Sequence, residues 1–396
     1  MSRLWDKGTP LDARVLAYTS SDDHELDNRL VAFDIQASVA HAHMLHEQSL
    51  LSHADLTAIT DALIEIGAAH ARGEWRVSLE LEDSQTAIEN LLTGKIGATG
   101  GRLHAGRSRN DQVLVALRLF MRDAAQRLIA AGLGVAEALD RLAAREGHIA
   151  LPGYTHMQQA MPSTVAWWAG GYAAEIRDDA EGIKACLRRI GKNPLGSAAG
   201  YGTPGLPISR ESTRKRLEFP VTHEPVTAVQ LSRGKAEAQL AFEITLLTQD
   251  IARLAADLLL YYTQEFAFVS LPADFTTGSS IMPQKRNADV FELMRGRSAV
   301  AQAALNEILG VTQKLTSGYH RDLQLIKLPL FRSIDSCEQT LSLLPVALDG
   351  IRFIPQNIEL DPSIHAAEAA NAMVAKEGIP FREAYRRVAA KLDTGG

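Results

Sequence analysis

The chain has 396 residues, 46% hydrophobic and 22% charged, which excludes a disordered chain and exceeds what one simple domain needs. Its net charge of -6 gives no basic footprint, so no nucleic-acid partner is expected, and nothing in the balance demands an acidic or basic substrate. Cys186 and Cys337 are the only cysteines and lack metal-type spacing, which excludes a disulfide framework and fits a reducing compartment.

The opening stretch MSRLWDKGTPLDAR has no apolar run of the kind a secretory signal carries, so a cytoplasmic location is expected. An N-terminal helical domain is expected over 1–104. Breakers then cluster at 94–110, GKIGATGGRLHAGRSRN, where GATGG is not a phosphate-binding loop because no Gly-Lys-Ser/Thr follows. Arg107, Arg109 and Asn110 lie just before the next apolar series. Cations, an amide and free backbone N–H groups at a helix start suit a carboxylate. An equally available reading makes Asn110 or Asp111 a plain N-cap and leaves the arginines solvated.

Leu117, Met121, Ala124, Leu128, Ala131, Val135, Ala138 and Leu142 repeat in steps of three and four and predict a long helix. The segment LPGYTHMQQAMPS at 151–163 interrupts it. His156 sits there between two prolines, and a lone histidine is more often structural than catalytic. Thr155, Gln158 and Gln159 nevertheless make the segment too polar for a helix start entering a core. A second seam runs Val165, Ala169, Tyr172, Ile176, Ile183, Cys186 and Ile190, with Asp179 its one polar member.

After the breaker-rich stretch 191–207 a third seam, Leu240 to Tyr261, alternates steps of four and three. Residues 240–271 carry Glu243, Asp250, Arg253, Asp257 and Glu265, too many charges for a membrane span, so no membrane is expected. Leu258 to Tyr262 is apolar on nearly every side, which predicts burial all round and an oligomeric partner. TGSSIMPQKRNAD at 277–289 then places hydroxyls, a lysine and an amide in one short stretch, with Glu292 beyond it. Lys285 and Asn287 suit a carboxylate or a developing oxyanion, and a mobile surface loop with incidental cations is the plainer reading.

No run of alternating strand pattern stands out. The expected fold is all-α: an elongated bundle of long helices flanked by two smaller helical domains. The central bundle spans 105–355 with a loop at 276–290, and 356–396 forms a short, abbreviated C-terminal helical domain. There is no Gly-x-Ser-x-Gly elbow, His-Glu-x-x-His or dinucleotide fingerprint, so serine-hydrolase and metalloenzyme chemistry have little support.

GSSIMPQKRN resembles the signature of the fumarase/aspartase superfamily, whose members release fumarate by elimination. Together with LHAGRSRNDQ, PGYTHMQQAMP and YHRDLQLIK at 319–327, it resembles the argininosuccinate lyases in particular. The resemblance implies a fumarase/aspartase-like homotetramer with active sites shared between subunits. It implies a small-molecule substrate, argininosuccinate, cleaved to arginine and fumarate in the last step of arginine biosynthesis, with no metal or organic cofactor. It makes Ser279 the base, and Lys285 and Asn287 the groups holding the carboxylate on which charge accumulates. His156, paired with Glu292, would assist protonation of the leaving guanidine. Ser108, Arg109, Asn110 and Thr155 would bind the fumarate-side carboxylates. Gln284, Tyr319, Gln324 and Lys327 would contact the substrate, the last three towards its arginine-derived end.

Departures from the family pattern are Asp23 near a usual serine, Gln85 at a common histidine, and Ala288 at a usual proline, where it loosens the loop. SRGKAEA at 232–238 also lacks the usual Arg-Asp-Phe. Adenylosuccinate lyase, typically MPHK where this chain reads MPQK, and a catalytically silent structural relative like the lens crystallins are the competing expectations.

Overall fold

The computed structural model describes residues 12–393, so residues 1–11 of the opening stretch read above for a signal lie outside the described residues. Helices dominate. In chain order the principal ones are α1 (Val31–Glu47), α2 (His53–Ala71), α3 (Ser84–Ile96), α4 (Arg109–Glu146), α5 (Val165–Ile190), α6 (Lys235–Tyr262), α7 (Asp289–Thr312), α8 (Lys327–Gly350), α9 (Ala366–Glu377) and α10 (Phe381–Asp393). The three sequence seams fall on α4, α5 and α6. Leu117, Met121, Val135 and Leu142 on α4, and Ile244, Ile251 and Leu258 on α6, are all buried. An apolar position every three or four residues keeps one stripe of a helix out of water, which is why these segments hold helical form over such lengths.

The chain divides into two units. Unit 1 comprises 1–129, 181–245 and 299–336; unit 2 comprises 130–180, 246–298 and 337–396. Unit 1 has its core where α1, α2 and α3 meet, around Leu45, Ile59, Leu63 and Leu92. A second cluster sets Val115 and Leu119 of α4 against Leu195, Leu217 and Phe219. In unit 2, α9 and α10 close a small cluster around Ala370 and Ala384.

One element departs from the expectation. Residues 150–164, where no strand pattern stood out, form an antiparallel hairpin, β1 (Ala150–Thr155) with β2 (Gln158–Thr164). Pro152 faces Pro162 across it, and the register shifts after Gly153. Proline gives no ladder donor, so such strands lack the clean alternation that marks a strand in sequence. Gln159 is explained by this geometry: it donates from Nε2 to Glu359 O at 3.0 Å and accepts from Asp361 N at 2.9 Å.

A second difference concerns the start of α4. Neither Asn110 nor Asp111 is the cap. Ser108 Oγ accepts from Asn110 N at 3.3 Å while Asp111 returns a bond to Ser108 N at 3.0 Å, a reciprocal cap. The other Asp111 oxygen accepts from Gly196 N at 2.9 Å and Ala198 N at 2.8 Å, tying the 191–207 breaker segment to the helix. Asp111→Ala removes the acceptor of three N–H groups at once, that of Gly196 buried and those of Ser108 and Ala198 half-buried. It should lower unfolding stability by about 2–4 kcal/mol, measured by chemical denaturation against the wild type.

Candidate active site

The expected site residues fall into two groups, one in each unit. In unit 2 the hairpin tip is His156 and Met157, with Thr155 and Gln158 closing the turn. Both tip residues have positive φ, 52° and 62°, as a two-residue primed turn demands. Neither has the Asn or Gly chemistry that makes this conformation cheap, so the turn holds backbone strain where an exposed imidazole is presented.

The 276–290 stretch is a pinched loop. Thr277 and Asn287 exchange backbone bonds of 3.0 and 2.8 Å at its neck. The Asn287 amide also donates to Gly278 O at 3.4 Å. Inside the loop, Ser279 Oγ accepts from the backbone N–H of Met282 at 3.2 Å and of Ile281 at 3.4 Å. Ser280 is exposed, as are Gln284 and Lys285. Ala288 is buried, and its carbonyl accepts from Phe291 N and Glu292 N to open α7. Glu292 therefore lies exposed in the first turn of α7; among the described residues no ion pair joins it to His156.

In unit 1 a cavity of about 170 Å³ brings Arg109, Asn110, Tyr319, Gln324 and Lys327 together, with Ser108 just before them at the α4 cap. Arg109 projects from the first turn of α4 and pairs with Asp83 at 3.0 Å and Glu82 at 3.7 Å; it also donates to Thr86 Oγ1. Arg107 is not solvated: it donates to Ser38 Oγ at 2.9 Å. Gln324 donates to Thr19 O and Ser20 O at 3.0 and 3.1 Å, which fixes the 19–20 backbone at the cavity wall.

Lys327 is 2% exposed and donates to Asp27 at 2.6 Å and Asp23 at 2.7 Å. Asp27 is wholly buried, and its second oxygen accepts from Ser84 N at 3.1 Å. The Ser84 hydroxyl donates to Asp34, which Gln85 covers with bonds of 2.9 and 3.0 Å. Sequence reasoning missed Asp27, Glu82 and Asp83. The one available signal was the four-residue spacing of Asp23 and Asp27, which puts both carboxylates on one helical face. Among the described residues no group of three or more His, Cys, Asp or Glu is placed to hold a metal ion, and no helix is long and apolar enough to cross a membrane.

Burial pushes the Asp34 carboxyl up to about 7 despite its bonds from Ser84 and Gln85. A folded-state value above the unfolded one means that this group's contribution is fully present at acid pH, below the unfolded value. It is lost as pH rises from about 4 through about 7. Asp34→Asn removes that titration. The stability of the variant relative to wild type should therefore improve between pH 4.5 and pH 8, by on the order of 2–4 kcal/mol. Thermal melts at both values test this, and a difference independent of pH would refute it.

Residues 9–303 match the model of a family described as lyase. The chain is 44% identical over 392 residues to the argininosuccinate lyase of Sorangium cellulosum, covering 98% of this chain and 90% of that protein. It is 40% identical to the argininosuccinate lyase of Xylella fastidiosa strain Temecula1, over 99% of this chain and 88% of that one. Among solved structures, EDDS lyase with formate superposes with a TM-score of 0.83 at 27% identity, covering 98% of this chain and 77% of the other. Class II fumarase from Schistosoma mansoni shares the fold, with a TM-score of 0.79 at 18% identity over 97% and 91% of the two chains. With the family model spanning most of its length and such identities sustained end to end, the chain belongs to the lyase family, and within it to the argininosuccinate lyases.

Proposed function

We propose that this protein cleaves argininosuccinate to arginine and fumarate by β-elimination. The observation that carries the reading is the 44% identity to an argininosuccinate lyase over 98% of the chain. The loop and cavity chemistry supports it. The proton to be removed lies on a carbon beside a carboxylate and is barely acidic, so its loss builds a dianionic aci-carboxylate that needs fixed positive charge. Ser279 is the base in this reading. A free serine hydroxyl is too weak an acid to ionise unaided, and two backbone N–H groups directed at its Oγ favour the alkoxide.

Lys285 and Asn287, on the same loop, hold the carboxylate that gains charge, and Gln284 beside them contacts the substrate. On the leaving side His156, supported by Glu292, assists transfer of a proton to the departing guanidine nitrogen as the C–N bond breaks. Arg109, Asn110, Ser108 and Thr155 bind the fumarate-side carboxylates; Tyr319, Gln324 and Lys327 hold the arginine-derived end.

The working enzyme in this proposal is a cytoplasmic homotetramer whose active sites take elements from more than one subunit. Its three-part organisation is 1–104, 105–355 and 356–396. Large apolar side chains stand exposed on the long helices, among them Trp167 on α5, Phe242 and Leu246 on α6, Leu293 and Leu309 on α7, and Val346 on α8. Of the apolar stretch on α6, Leu258 and Tyr261 are buried within the chain, whereas Leu259, Leu260 and Tyr262 are only partly covered. Such surface on a soluble subunit asks for a partner. Sedimentation at micromolar concentration should give a four-chain particle; a stable monomer would overturn the tetramer and the shared site together.

Fumarate absorbance should rise with argininosuccinate and not with adenylosuccinate; the opposite result would place the chain with the adenylosuccinate lyases, and silence with both would make it a structural relative. Ser279→Ala should lower turnover by at least about 10²–10⁴-fold while argininosuccinate still binds, whereas Ser280→Ala should be far milder. His156→Asn should also lose about 10²–10⁴-fold with its oligomeric state unchanged. Equal effects from the two serine variants would point to general loop damage and remove Ser279 as the base.

A further inference from the structure

A cavity of about 300 Å³ in unit 2 is enclosed by the 150–164 hairpin, α5 and α6. That is the size of a small-molecule pocket. Tyr154 of β1, Trp167 and Trp168 of α5 and Tyr261 of α6 line it, and Asp257 of α6 is the one charged side chain among the described residues of its wall. Trp167 is 74% exposed, so the cavity reaches the surface.

The other rings are held in place. Trp168 meets Tyr261 with centroids 5.8 Å apart, and Tyr154 stands edge-on to Phe266 at 6.5 Å. Trp168 Nε1 donates to Asp257 Oδ2 at 2.9 Å, and the Tyr172 hydroxyl donates to the same oxygen at 2.7 Å. Both donors are neutral. Burial, followed by the Asp257 charge, raises the Tyr172 hydroxyl above its ordinary value and keeps it a donor. The carboxylate is therefore oriented but not neutralised. Among the described residues no cation pairs with it and no protein donor reaches Oδ1; Arg253, one turn earlier on α6, is engaged by Asp250 at 3.3 Å.

Aromatic faces attract a cation placed over them, and an unpaired carboxylate oxygen adds its own charge. The number of open oxygens selects the kind of cation. A guanidinium presents a planar fork best met by both carboxylate oxygens, and here Oδ2 already accepts two bonds. An ammonium needs one acceptor and leaves the rest of its surface to the rings. We propose that this cavity binds a small protonated amine with an apolar body, its ammonium on Asp257 Oδ1 and its body among Tyr154, Trp167, Trp168 and Tyr261. None of the residues assigned to argininosuccinate cleavage lines it, so the site is additional to that reaction.

Calorimetry on the intact protein with 2-phenylethylammonium and with 2-phenylethanol, its neutral analogue, tests this without turnover and so independently of the proposed reaction. Wild type should bind the ammonium about tenfold or more tightly than the alcohol. Asp257→Asn keeps an acceptor for Trp168 and Tyr172 and should bring that ratio to about one, with circular dichroism confirming the fold. Trp167→Ala, at an exposed position that leaves the carboxylate in place, should weaken the ammonium probe by about threefold or more. A cavity already filled by a side chain of another subunit would leave wild type without binding and would overturn the proposal. So would a wild type that binds both probes equally, an ammonium preference that survives Asp257→Asn, or an ammonium affinity unchanged by Trp167→Ala.

Discussion

The buried ammonium of Lys327 organises unit 1. A cation at 2% exposure costs several kcal/mol in desolvation unless carboxylates reach it, and removing such a partner leaves a charge that neither water nor protein can satisfy. Asp27 answers that demand from 300 positions away in the chain. Once Asp27 is buried it needs donors of its own, which Ser84 supplies, and Ser84 in turn engages Asp34. The chain of obligations runs from α8 to the 23–29 turn and on to α3, and the cavity lies where these segments converge. Arg109 extends it to α4 through Asp83 and Thr86.

Unit 2 presents its polar groups by another device. Long helices with apolar seams have little room for polar groups in their interiors, so the candidate site residues of this unit sit where helices stop. At the hairpin tip, His156 and Met157 adopt positive φ without the residue types that favour it. At the serine loop, the bonds between Thr277 and Asn287 close the neck, so that Ser279 meets donors from its own loop. Local preference is overridden at the hairpin tip, whereas the serine loop is held by ordinary backbone bonds across its neck.

The departures from the family pattern are accommodated in different ways. Gln85, at a position where histidine is common, uses its amide to cover both oxygens of Asp34. Ala288 is buried, and its carbonyl opens α7, so the helix start is defined without a proline ring. Asp23 differs in kind, because it changes the charge of the cavity and not only its packing.

The sequence alone determined the helical seams, since an apolar residue every three or four positions has one stable solution, a helix with a buried stripe. It also located the polar interruptions: Arg109, Asn110, His156, Ser279, Lys285, Asn287, Tyr319, Gln324 and Lys327 were all legible as chemistry that turns do not require, or through motifs they share with a known family. The hairpin at 150–164 was not legible. Facing prolines erase strand alternation, and its turn residues carry no turn signature. Nor was the cap at Ser108, because serine, asparagine and aspartate in succession are equally good candidates until Gly196 and Ala198 recruit Asp111. Only the tertiary structure decided that Asp27, Asp83 and Glu82 belong beside Lys327 and Arg109. Helical periodicity is a local property that repeats within one turn, whereas ion pairing depends on which distant segments burial brings together, and no spacing along the chain encodes that choice.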